Sequence, residues 1–210
     1  MNDIKSLIQK GGLFHFTTLG QGNILKDFMT FSKYAGYRGR FEFNFVDDHN
    51  HFETDASIKE YLFREITNDI ENFDYIQALE QRHASHLNEF LFKRYDLEDS
   101  IKQVDYATAK LFSILKAFLA PAHKLVFINM DKINFAPGLN ERIARIIRRE
   151  IDQKQRAIII YGAIPSNWKE FQVATISQGP KRNFHISKIS QAKEEQNIDF
   201  QEFEDNKHAA

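Results

Sequence analysis

Two apolar runs, Lys124-Leu125-Val126-Phe127-Ile128-Asn129 and Ala157-Ile158-Ile159-Ile160-Tyr161, flank a basic amphipathic stretch from Leu139 to Ile151. Strands this apolar have no polar face to offer water, so they belong in the middle of a sheet covered on both sides. In the stretch between them Ile143, Ile146, Ile147 and Ile151 recur at helical spacing, with Arg142, Arg145, Arg148 and Arg149 on the opposite side. Strand, helix, strand with this patterning is a βαβ unit and predicts an α/β fold with a mostly parallel sheet.

The rest of the chain supplies more of the same sheet. Leu13 to Thr17 is a short β-prone run after Gly11-Gly12, followed by Thr18-Leu19-Gly20-Gln21-Gly22 and a helical pattern in which Ile24, Leu25, Phe28 and Phe31 or Met29 form the inward stripe. Strand, glycine loop and helix follow in that order. Gly36 and Gly39 bracket a turn into Arg40 to Val46, where Phe41, Phe43 and Phe45 alternate as in a half-buried strand. From about residue 55 to 118 the pattern is helical almost throughout, with Ile58, Leu62, Ile66 and Ile70 in one helix and Leu87, Phe90 and Leu91 in another, so a helical insert is expected there. A further helix runs from about Tyr106 to Leu119 and stops at Ala120-Pro121. Val173 to Ser177 and Asn183 to Ile186 read as a hairpin at the sheet edge.

With 210 residues the chain holds one full domain, taken as residues 1–190, and a polar acidic tail over 191–210 carrying Glu194, Glu195, Asp199, Glu202, Glu204 and Asp205. Its 20 phenylalanines fall mostly in periodic apolar segments and read as core. A formal net charge of −1 gives no global pull toward nucleic acid, though it permits a local basic patch. Without cysteine there is no disulfide, thiolate metal site or cysteine nucleophile, and no apolar run approaches the roughly 20 residues that span a bilayer. Met1 to Gln9 lacks the pattern of a signal peptide. A cytoplasmic protein is expected.

The order of these segments, up to about residue 187, resembles the ATP-binding domain of ABC transporters, a member of the P-loop NTPase superfamily. Leu13 to Lys26 sits where that family has its first strand and phosphate loop; Ser57 to Leu62 resembles the start of its helical subdomain. Lys110 to Leu119, Pro121, His123 and Lys124 to Asn129 resemble the helix after the family's signature and its Walker B strand, and Val173 to Gly179 a late strand and glycine turn. The resemblance implies ATP and Mg²⁺ as cofactors and a nucleotide site at Gly20, Gln21, Gly22, Asn23, Ile24, Asn129 and Asp131.

The chemistry at those positions has changed. A phosphate loop needs glycines whose amides converge on phosphate, a lysine for the β/γ charge and a hydroxyl for Mg²⁺. Gly20 and Gly22 keep their context, but Asn23 stands at the lysine position and Ile24 at the hydroxyl. Lys26 lies about a helical turn away. Asn129 and Met130 stand where the family places the metal-binding aspartate and the water-orienting glutamate, with Asp131 one or two positions late. Ala136 is at the expected late loop aspartate, Gly162 at the switch histidine, and Tyr106-Ala107-Thr108 replaces a serine-glycine-glycine run. Phosphoryl transfer rests on positioning and charge, so these losses together predict at most weak nucleotide binding and no hydrolysis.

Other constellations are weaker. His49 and His51 with Asp47, Asp48, Glu53 and Asp55 form the densest group of metal-type ligands, but solvated turn residues explain them as well and no metal site is assigned. His83 and His86 are three apart without the H-E-x-x-H pattern and read as surface residues. Arg142, Arg145, Arg148 and Arg149, continued by Lys154 and Arg156, form an anion-binding or partner face, or else a salt-bridged solvated one.

Two functions follow. The first is a non-hydrolysing adaptor or binding subunit whose partner is a membrane component or a second ATPase subunit, a dimer being compatible with it. The second comes from a resemblance to the DNA-end-binding accessory subunit of type II-A CRISPR adaptation, carried by Val126-Phe127-Ile128-Asn129 and Gly11-Gly12. It implies DNA as partner and calcium as ligand.

Overall fold

The computed structural model describes residues 2–18, 23–37, 42–47, 55–69, 72–81, 85–87, 95–119, 124–131, 133–179 and 183–189. Helix α1 (Asn2–Gln9) leads into β1 (Gly12–Thr17), followed by α2 (Ile24–Tyr34) and β2 (Phe43–Val46). Next come α3 (Ile58–Phe63), α4 (Tyr75–Gln81), the short turns Ser85–Leu87 and Ile101–Gln103, and α5 (Tyr106–Leu119). The chain continues through β3 (Leu125–Met130), α6 (Pro137–Lys154), β4 (Ala157–Gly162), α7 (Ser166–Lys169), β5 (Gln172–Gln178) and β6 (Phe184–Lys188).

The sheet order is β2-β3-β4-β1-β5-β6. All neighbours are parallel except β5 and β6, the antiparallel edge hairpin expected from the sequence. Side chains alternate between two cores. Leu13, Val126, Ile128, Met130, Ile158 and Ile160 face α3 to α7, whereas Phe14, Phe16, Leu125, Phe127, Ile159 and Ile176 face α1 and α2. The second core is aromatic: the Phe127 ring lies 4.4 Å from that of Phe28 and 5.0 Å from that of Phe45, and Phe16 and Phe31 meet at 5.7 Å. The phenylalanines of these elements are packing residues, as their periodicity implied.

From β1 the chain moves across the sheet to β2 with α2 on one face. From β2 onward it moves the opposite way, with its helices on the other face. That division is what a uniform right-handed crossover rule requires. The direction reverses between the neighbouring strands β1 and β4. In open α/β sheets such a reversal opens a crevice at the strands' carboxyl ends.

Several expectations need correction. The helix predicted through Ile58, Leu62, Ile66 and Ile70 stops at Phe63, after a capping box in which Ser57 and Glu60 exchange bonds of 3.2 and 3.0 Å. The backbone then turns, with Ile66 N donating to Phe63 O and the Thr67 hydroxyl accepting from Asp69 N. Among its described residues the insert is therefore short helices joined by turns, rather than helical almost throughout. Leu25 is 42% exposed, because Phe28 and Phe31 set the buried stripe of α2 and Leu25 lies off it. Leu19 to Gly22, Gly39 to Phe41, Asp48 to Thr54, Ile70, His83, Phe90, Leu91, Ala120, Pro121, His123 and the 191–210 tail lie outside the described residues.

Candidate functional site

The carboxyl ends of β1 and β4, the first turn of α2 and the turn after β3 surround this reversal point. On β1, His15 Nε2 lies 3.0 Å from the carbonyl of Gly162 at the end of β4. Gly162 has φ +92°, and a Cβ there would fall 2.7 Å from Asp131 N, so only glycine lets β4 end this close to the β3 turn. Thr17 donates to Ser177 Oγ at 3.1 Å, and Gln178 Nε2 donates to Asp27 Oδ1 at 3.1 Å, tying the end of β5 to β1 and to α2. The strand ends are thus laced to one another through their own side chains.

Of the residues expected to hold nucleotide, Gly20, Gln21 and Gly22 lie outside the described residues. Asn23 is exposed and caps α2, its Oδ1 accepting from Lys26 N at 3.0 Å. Its side chain therefore serves the helix end, where asparagine is among the preferred caps. Ile24 begins α2 and packs against the aromatic core; the Lys26 side chain is exposed.

At the end of β3, Asn129 is only 6% exposed and uses both ends of its carboxamide. Nδ2 donates to Asp47 Oδ1 at 2.9 Å, joining β3 to the residue after β2, and Oδ1 accepts from Asp131 N at 3.0 Å, shaping the turn. Met130 is buried in the helical-side core and the Asp131 side chain is exposed. Ala136 caps α6 without any side-chain bond, with Pro137 opening the helix. The carboxamide of Asn129 is committed internally and Met130 offers no oxygen, so neither of these two side chains presents a free ligand for Mg²⁺.

The arginine face of α6 divides. Arg145 pairs with Glu141 at 3.0 Å and Arg148 approaches Asp152 at 3.9 Å, both pairs exposed. Arg149 is exposed and Arg142 half-buried, and neither has an ion pair among the described residues. Arg156, expected to extend this face, is instead 1% exposed and meets the fully buried Glu150 at 3.1 Å, while also donating to Phe118 O at 2.9 Å. Glu150 Oε1 also contacts Lys154 Nζ at 2.9 Å and His86 Nε2 at 3.0 Å. The contacts of Glu150 Oε2 with Arg156 and of His86 with Glu150 are ion contacts rather than aligned hydrogen bonds. The His86 side chain is accordingly tucked inward, 5% exposed, and not the surface group its sequence context suggested. Burial alone would raise the Glu150 carboxyl's pKa, but His86, Arg156 and Lys154 together bring it below the usual glutamate value. Burial lowers that of Arg156, against the pull of Glu150. One signal for this cluster was available: Glu150 falls on the apolar stripe, three and four residues from Ile147 and Ile146.

Among the described residues, no three metal-type ligands converge. Asp47 is held by Asn129 and Asp55 by Lys102, while Asp48, His49, His51 and Glu53 lie outside the described residues.

Several solved structures with this architecture are described as ABC transporters or their ATP-binding parts. An ATP-binding subunit of an ABC transporter aligns over 80% of this chain and 75% of its own, with a TM-score of 0.58 and 14% identity. A putative metal-chelate type ABC transporter in an inward-facing conformation aligns over 85% and 72%, at 0.54 and 13%. CbiO1 from Clostridium perfringens, part of the ABC transporter complex CbiONQ, aligns over 81% and 74%, at 0.54 and 13%. The fold is that of an ABC-type ATP-binding cassette. No family model and no curated protein matches the chain by sequence. No described helix is long and apolar enough to cross a membrane.

Proposed function

We propose that this cassette-fold chain is a non-hydrolysing adaptor or binding subunit, located in the cytoplasm and working through a protein partner, either a membrane component or a second ATPase subunit. The observation that carries the reading is the double commitment of Asn129 to Asp47 and to Asp131 N. At the place where a cassette enzyme would gather Mg²⁺, the side chain instead braces two strand ends. Asn23 does the equivalent at α2, replacing a mobile cation by a helix cap. Helix and loop amides retain some attraction for anions, so weak nucleotide binding is consistent with the reading.

Calorimetric titration with ATP, with and without Mg²⁺, tests it. The expected result is weak or undetectable binding that Mg²⁺ leaves unchanged. Tight binding that requires Mg²⁺ would overturn it.

A second reading, a DNA-binding accessory protein of CRISPR spacer acquisition, draws support from Arg142 and Arg149, which have no ion pair among the described residues. It predicts duplex binding that weakens steeply with salt and is reduced by Arg142→Gln/Arg149→Gln. Absence of binding at low salt would dismiss it.

A further inference from the structure

Among the described residues, three buried side-chain atoms lack a hydrogen-bond partner: His86 Nε2, Glu150 Oε2 and Asn140 Oδ1. The first two sit in the ion contacts of the Glu150 cluster. Asn140 is a neutral residue outside that cluster, so its orphaned oxygen needs another explanation. A buried acceptor left unpaired costs stability, and folded chains keep few of them without a reason.

The rest of Asn140 is firmly held. Its Nδ2 donates to Phe135 O at 2.9 Å, and its backbone carbonyl accepts from Trp168 Nε1 at 3.0 Å. Turning the carboxamide over would set Oδ1 against the Phe135 carbonyl, oxygen to oxygen, so hydrogen bonding fixes which end is the acceptor. The turn after β3 and helix α7 thus fix this acceptor in place through their own contacts.

Asn140 lies in the wall of a cleft of about 570 Å³, between the turn that leaves β3 and the loop that leaves β4. That volume is within the range of small-molecule sites. Ile133, Phe135 and Ile164, all buried, supply apolar surface suited to the faces of a flat ring. Asn134 and Asn167 bring further carboxamides. Glu141 is the only charged residue in this lining, and it pairs with Arg145 at 3.0 Å. Apolar walls without an uncommitted charge favour a neutral molecule over an ion. The orphaned acceptor calls for an N–H donor, and carboxamides, donor and acceptor at once, complement the edge of another amide.

We propose that this cleft binds a small neutral ring compound bearing an amide edge, whose N–H donates to Asn140 Oδ1. The amide belongs to the ring, as in a lactam or a nucleobase, or hangs from it as a carboxamide. The inference does not rest on the adaptor reading.

Trp168 is the chain's only tryptophan, is fully buried and is bonded to Asn140, so its single indole N–H resonance reports on the site. The full chain would be titrated with two pairs of nearly isosteric probes. In the first, α-pyridone is compared with α-pyrone, where a ring oxygen replaces the N–H; in the second, nicotinamide is compared with the corresponding methyl ketone, where methyl replaces the amino group. The expected result is a saturable shift of the indole resonance with at least one amide probe, its donor-free partner binding at least about tenfold more weakly. Saturation by α-pyridone assigns the site to lactam-type rings, and saturation by nicotinamide to pendant carboxamides. Equal affinity for an amide and its isostere would overturn the proposal. So would the absence of a saturable shift with either amide, which would leave Asn140 Oδ1 to an ordered water. The probes change while the chain does not, so the test depends on no variant's folding.

Discussion

Asn129 answers two demands with one carboxamide, and its neighbour explains why an asparagine suits the position. Asp47 lies 2.9 Å from its Nδ2, so a carboxylate at residue 129 would face another carboxylate across that distance. Asn129→Asp should therefore cost about 1–3 kcal/mol at neutral pH by breaking a largely buried bond and opposing like charges. The deficit should shrink as pH falls through the carboxylate range, and Asp47→Asn/Asn129→Asp should recover much of it. Urea unfolding of the single and double variants over a pH series measures this; an uncompensated double variant would argue against the pairing. Gly162 is the second residue whose identity is dictated locally. With φ +92° and Asp131 N 2.7 Å from a would-be Cβ, Gly162→Ala should cost on the order of 2–4 kcal/mol. A shift in urea midpoint within experimental error would remove the close approach from the account. Asn129 and Gly162 were both singled out in the sequence as departures from an ATPase. Their partners were not, because Asp47 is 82 residues from Asn129 and no local pattern announces such a bond.

At the scale of elements, the strands and α6 were legible because their patterning is strong: two apolar runs and one amphipathic helix leave little choice. The insert was less so. Ile58, Leu62 and Ile66 keep helical spacing, yet the helix ends at Phe63, since apolar periodicity also continues through a turn that buries its side chains by other means. The cluster around Glu150 connects these elements. It holds the end of α6, the turn at His86 and the last carbonyls of α5, which Arg156 reaches. Because His86, Arg156 and Lys154 lower the pKa of the Glu150 carboxyl more than burial raises it, it contributes stability that is fully present above the unfolded glutamate pKa. That contribution is lost as pH falls through the lower folded value. Glu150→Gln should thus flatten the acid side of the stability profile. At neutral pH it should also cost about 3–5 kcal/mol, since Arg156 stays buried without its counter-charge. Unfolding by urea at several pH values checks both, and an unchanged acid slope would show that Glu150 titrates as an ordinary carboxyl.

For the whole molecule, the proposed reading is a cassette fold whose chemistry positions serve structure instead. A mostly parallel sheet flanked by helices follows from well-formed sequence patterns, which is why the fold class could be anticipated from segment order, whereas the strand order and the reversal between β1 and β4 are set by tertiary pairing. The site was legible only as a set of replacements. What the replacing residues do instead depends on tertiary contacts: Asn23 caps a helix, Asn129 braces two strand ends and Met130 fills the core. The most direct test of this account is phosphate release by the purified chain at saturating ATP and Mg²⁺, beside an intact cassette as control. The account predicts release no faster than the uncatalysed background; sustained turnover abolished by Asn129→Ala would contradict it and make Asn129 part of a working site.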